Sequence, residues 1–99
     1  MPETKTVTLI KPVQRGEATI ASVILREPSA GDMRGLKLTE MMQMDVATMI
    51  RLIPRVSDPG LAPDEVAAMG GADLMALSTT VIGFFFTEEQ IQAEAQLLK

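Results

Sequence analysis

The chain reads as an α+β fold: an N-terminal β-hairpin followed by a small bundle of three to five short helices, in a single domain over residues 1–99. Three observations carry that reading. Apolar and polar residues alternate over residues 6–25. From Ser29 onward the apolar spacing becomes helical. Residues 71–86, GADLMALSTTVIGFFF, are the most apolar stretch and hold all three Phe residues, so they predict a helix buried on most of its circumference or bound to something. Within the domain, residues 6–25 are the hairpin, 29–86 the helical part, and 87–99 a C-terminal helix or tail.

The first strand is predicted over residues 6–13, TVTLIKPV, with Val7, Leu9 and Val13 on one face and Thr6 and Thr8 on the other. Pro12 has no N–H to give a ladder and belongs at an edge or near the strand's end. Residues 14–17, QRGE, suit a hairpin loop. The second strand, residues 18–25, carries Ile20, Val23, Ile24 and Leu25. A lone hairpin is marginal in water, so this one must lie on the helices or pair with another copy.

Arg26-Glu27-Pro28 ends the strand. Ser29 with Asp32 three residues on is a weak capping box, predicting a helix from Ala30 to about Leu38 with Met33 and Leu36 inward. Residues 39–44 either extend that helix or form a loop. Asp45 caps a second helix in which Val46, Met49, Ile50 and Ile53 make one amphipathic face, and Pro54 should end or kink it. Residues 57–60, SDPG, are the strongest loop signal. Pro63 then opens a short helix with Asp64 and Glu65 in its first turn and Val66 and Met69 inward, closed by Gly70-Gly71. In the Phe-rich helix, Leu74, Leu77, Val81 and Phe85 are the predicted core face. Thr87-Glu88-Glu89-Gln90 would cap a final helix over residues 88–98, with only Ile91, Ala95 and Leu98 as its stripe.

Composition argues against catalysis. His, Cys, Trp and Tyr are absent, which removes the commonest general base, the thiolates and the commonest metal ligand. Asp64/Glu65 and Glu88/Glu89 are adjacent carboxylates, but neighbours on a helix point apart, and both pairs sit where helix starts favour acids. Ser29, Ser57 and Ser78 have no His to activate them. The expectation is therefore no enzyme, with no catalytic, cofactor-binding or metal-binding residues and no cofactor. Charge is uneven: eight basic and six acidic residues up to Arg55, then seven acidic residues against Lys99 alone. An acidic C-terminal half argues against a nucleic-acid partner. No segment reaches the roughly 18 apolar residues of a membrane span, and the N-terminus lacks the apolar core of a signal peptide. A soluble cytoplasmic protein is expected.

Methionine is the outlier. Met33, Met41, Met42, Met44 and Met49 fall close together. Such side chains either fill irregular gaps in a core poor in aromatics or make an adaptable binding surface. The candidate partner-binding residues are Met41, Met42, Met44, Met49, Ile50 and Ile53, with Phe84 and Phe86 at the end of the Phe-rich helix.

The order of signals also resembles a known family. The matching features are V-x-L-x-x-P in the first strand, R-x-P-x-x-G-D from Arg26 to Asp32, L-x-P-x-E-V from Leu61 to Val66, and D-L…V-x-x-F-F from Asp73 to Phe85. In this order they resemble the small tail assembly chaperones of contractile-tailed phages, the group that includes the E protein of P2-like phages and its counterpart in Mu-like phages. Gly70-Gly71 and the Met-rich residues 41–44 depart from the pattern. The resemblance implies a non-catalytic morphogenesis protein of a phage or prophage, working in the host cytoplasm. It implies a tape measure protein as partner, coated in multiple copies, and a longer frameshifted isoform of the chaperone itself; the hairpin's available edge could pair across a dimer or a ring, so a homo-oligomer is expected. Two other classes stay open: a structural tail or baseplate component retained in the virion, and a generic acidic adaptor or regulator.

Overall fold

The alternating segment folds as a hairpin longer than its pattern suggests. The computed structural model describes residues 3–86. Strand β1 runs Thr4–Arg15 and β2 runs Ala18–Arg26, antiparallel. A two-residue loop joins them, with Gly16 at φ +62° in its first position, where a residue with a Cβ would be strained. Val7, Leu9, Ile20, Val23 and Leu25 are buried on one face. A third strand, β3 (Ser57–Asp58), pairs antiparallel with the far end of β2, giving the order β1-β2-β3. Its two residues lie inside the segment expected to be only a loop, and two residues are too few to show a period.

The ladder is interrupted. Thr8 pairs with Ser22 and Val13 with Ile20, so residues 9–12 of β1 bulge opposite Ala21. Pro12 sits in this bulge, where its missing N–H costs no ladder bond.

The helix expected from Ala30 to Leu38 does not form. Residues 30–35 are successive turns with i→i+3 backbone bonds, such as Asp32 N to Ser29 O (3.1 Å) and Leu36 N to Met33 O (2.9 Å). Gly35, at φ +83°, blocks helical continuation. The Ser29/Asp32 box is real but caps this turn: Ser29 N donates to Asp32 Oδ2 (2.9 Å) and Asp32 N to Ser29 Oγ (3.2 Å). The helix appears later, as α1 (Leu38–Met42). It ends in a Schellman-type bond pair, Asp45 N to Glu40 O and Met44 N to Met41 O, with Met44 at φ +53° where glycine is usual.

Helix α2 (Val46–Val56) starts at Asp45, whose Oδ2 accepts from Thr48 N at 3.0 Å. It buries Met49, Leu52, Ile53 and Val56 and continues two residues past Pro54. So close to the C-terminus, the proline removes one helical bond without ending the helix. Helix α3 (Pro63–Ala67) has Pro63 at N1 as expected, and Glu65 Oε1 accepts from Ala62 N at 2.8 Å.

Helix α4 spans Gly71–Gly83 and packs on β1, β2 and α2. Its buried face is Asp73, Leu77, Ser78, Val81 and Phe84. The expected face is corrected at two positions: Leu74 and Phe85 are only partly buried, and Asp73 and Phe84 take the inner positions. The face is turned because a carboxylate has backbone partners to reach across the interface. The expected C-terminal helix over residues 88–98 lies outside the described residues.

Candidate partner-binding site

Three polar anchors explain why one surface is closed and another open. The first is Asp73, 2% exposed, in the first turn of α4. Its Oδ1 accepts from Ile10 N at 2.7 Å and its Oδ2 from Lys11 N at 3.0 Å. These are bulge amides with no ladder partner, and each would be costly to leave bare under a helix. The second anchor is Arg26, which makes a two-bond pair with Asp32 (2.5 and 2.9 Å) and donates to Arg55 O (2.9 Å). Arg55 in turn donates to Asp32 O and Arg34 O. This network fastens the turn at residues 30–35 to β2 and to the end of α2. The Arg26 guanidinium, and after it the bonds from Ser29, hold the Asp32 carboxyl well below the usual carboxylate range against the opposing effect of burial. The third anchor joins the hairpin tip to α3. Arg15 Nη2 lies 2.5 Å from Glu65 Oε1. Hydrogen bonding to Arg15, then to Ala62 N, lowers the Glu65 pKa.

The four sequence motifs map onto these anchors. Pro12 sits in the bulge whose Ile10 and Lys11 amides donate to Asp73, Arg26 and Asp32 are the ion pair, and Leu61, Glu65 and Val66 are a buried residue, a cap and a buried residue.

The candidate binding residues divide. Met41, Met49 and Ile53 are fully buried and Phe84 nearly so, which makes them core and leaves them no surface to offer in this fold. Ile50 is half-buried against the core. Met42 and Phe86 are 46% and 38% exposed. Met44 is half-buried and lines a groove between the start of α2 and the first turns of α4, with Val46, Gly71, Leu74, Met75 and Ser78. Val46 and Met75 are more than half exposed on its rim. The groove volume is about 230 Å³, below the ~300 Å³ where small-molecule pockets begin. Leu38 and Met42 add an exposed apolar pair one turn apart on α1.

Val46, Leu74 and Met75 are members of this groove that sequence reasoning did not select. Val46 belongs to the amphipathic face predicted for α2, and Met75 lies in the most apolar stretch without standing out from it. The signal available was Met75 itself, an unbranched side chain opposite Leu77 on the helix. A second cavity of about 300 Å³ lies between the β1 bulge and α3, lined by Pro12, Val13, Ala68 and Met69 with Lys11 and Glu65 at its edges. Among the described residues there is no group of three or more His, Cys, Asp or Glu placed to hold a metal, and no helix long and apolar enough to cross a membrane.

Comparison with known proteins decides the family. Residues 6–85 match the family described as phage tail assembly chaperone proteins, E, or 41 or 14. The chain belongs to this family. Tail assembly protein E of Escherichia phage P2 is 42% identical over 84 residues, covering 85% of this chain and 92% of that protein. Tail assembly protein E′ of the same phage is 41% identical over 88 residues, covering 89% of this chain and 62% of E′. No solved structure matches the chain. The family span contains every anchor described above and both walls of the α2/α4 groove.

Proposed function

We propose that this tail assembly chaperone binds the tape measure protein in multiple copies and keeps it soluble in the host cytoplasm until the tail forms around it, without catalysing a reaction. Family membership across most of the chain supports the assembly role. The observation that carries the binding role is the apolar groove lined by Met44, Val46, Leu74 and Met75, which the other described residues do not fill. A long helical partner with exposed apolar residues needs a cover of this kind: adaptable side chains at the contact and charge elsewhere. The two P2 relatives match nearly the same span of this chain but differ in length. We extend that to this protein: a longer product sharing the segment is a further partner, and the working form is a homo-oligomer.

Co-expression with the tape measure protein of the same phage tests the proposal. A soluble complex is expected where the tape measure protein alone precipitates. Mass spectrometry of purified particles supplies the opposing result: stoichiometric presence in the finished tail would make this a structural component.

A further inference from the structure

The sheet has one blunt edge and one open edge. β3 ends one side and is two residues long, too short to recruit another strand. β1 forms the other side. Bonded and non-bonded pairs alternate along an antiparallel ladder. Glu27 N donates to Glu3 O at 2.9 Å, so Lys5/Leu25 and Val7/Val23 are the bonded pairs of β1 and β2. Thr4, Thr6 and Thr8 therefore turn their N–H and C=O groups away from β2. Among the described residues nothing pairs with these groups, and the three side chains are exposed. The usual guards of an edge are displaced from this stretch. Pro12 and the bulge lie beyond Thr8, and the Lys5 ammonium is turned to the helix side, 5.5 Å from the Phe84 ring centroid.

A row of backbone donors and acceptors calls for an extended strand. A helical tape measure segment has its own backbone bonds closed and does not match it. The same stretch of a second copy does. From this we infer that β1 pairs antiparallel with β1 of a second copy across a two-fold axis at Thr6, joining the two sheets into one. The inference rests on the homo-oligomer of the proposed function and names its contact. Ile10 N is taken by Asp73 Oδ1, so the open stretch ends at Thr8. The register centred on Thr6 then pairs all three residues: Thr4 faces the second copy's Thr8, and Thr6 faces its counterpart. Lys5 falls opposite Val7, so no like charges are opposed, and the Thr pairs are favourable cross-strand neighbours.

The helix layer leaves room for this pairing. α4 packs on β1 and β2, while α2 packs on β2 and on the flank of α4 that carries Leu74 and Ser78. The opposite flank of α4 lies beneath the open edge and carries Ala72, Ala76, Thr80 and Gly83. With α4 between β1 and β2, the two-fold sets the two α4 helices about 10 Å apart, a spacing that small side chains allow. The Thr80 hydroxyl already donates to Ala76 O at 2.8 Å, so covering it strands no polar group.

Light scattering of the full-length chain should give the mass of a dimer or of an even-numbered assembly. A monomer overturns the inference together with the homo-oligomer it rests on. Thr6→Asp and Thr6→Lys each oppose like charges at the axis and should weaken assembly by about tenfold or more, with circular dichroism unchanged because Thr6 is exposed. An equimolar mixture of the two should restore it. Assembly of either variant alone at wild-type strength refutes the β1 contact and leaves the homo-oligomer standing. Hydrogen exchange on the wild-type chain reads the same edge without a substitution. The Thr4, Thr6 and Thr8 amides should be protected in the assembled chain and exchange about tenfold faster or more on dilution to monomer. Fast exchange at every concentration overturns the inference. Protection that survives dilution also overturns it, because the edge is then covered by the chain's own residues 87–99. These measurements use no tape measure protein, so a failure to solubilise that protein bears on the chaperone reading alone.

Discussion

The two sides of α4 meet the rest of the molecule differently. On one side Asp73, Leu77, Val81 and Phe84 face the hairpin, and among the described residues no buried side-chain N or O lacks a partner. On the other, Leu74 and Met75 border a groove that the rest of the described chain does not fill. The first side is specified by a directional contact, two bulge amides on one carboxylate. The second has apolar atoms with no directional partner, beside an unusual backbone position at Met44. One helix thus combines a fixed face and an adaptable one, and the difference between them is the presence of a polar lock.

The comparison is broken most severely from the fixed side. Leu77→Ala removes a fully buried side chain and should cost about 3 kcal/mol. In a domain this small that is a large share of total stability, and urea unfolding will show it as a fall in midpoint. Asp73→Asn keeps the volume but turns one acceptor into a donor facing Ile10 N or Lys11 N. The expected loss is about 2 kcal/mol; a loss below about 0.5 kcal/mol would mean the bulge does not depend on this carboxylate.

A smaller effect sharpens the role of the turn at residues 30–35. The Asp32 carboxyl ionises at lower pH in the folded chain than in the unfolded one, because Arg26 and Ser29 stabilise its charged form. Its contribution is therefore complete above the unfolded pKa near 3.9 and is lost as pH falls below it. Asp32→Asn should cost about 1 kcal/mol at pH 7. The gap between wild type and variant should narrow steadily in unfolding curves taken from pH 5 down to pH 2. A gap that stays constant over that range would show that the ion pair does not hold the turn.

Much of the fixed side was legible in the sequence. The hairpin, the Asp45 cap, Pro63 at the start of α3 and the Leu77/Val81 stripe follow from alternation, capping and helical spacing. The 30–38 helix failed because Gly35 takes a positive φ and Ser29/Asp32 caps any first turn, whether or not a helix follows. Leu52 reads as one position off the α2 stripe, yet it is fully buried because sheet and helices cover that side together. Asp73 looks like an ordinary acid at a helix start; its real partners are more than sixty residues away in the chain. The binding candidates were only half legible for a related reason. Helical spacing marks a face as apolar but does not say whether the chain itself covers it. Met41 and Met42 are adjacent, equally apolar and opposite in fate: one is fully buried, the other 46% exposed.

The most direct test of the two-sided helix compares Met75→Glu with Leu77→Ala, measuring thermal unfolding and tape measure solubilisation on the same preparations. Met75 is 57% exposed, so Met75→Glu should leave stability within about 0.5 kcal/mol of wild type while the soluble complex is lost. Unchanged solubilisation by Met75→Glu, or a destabilisation as large as that of Leu77→Ala, would contradict the account.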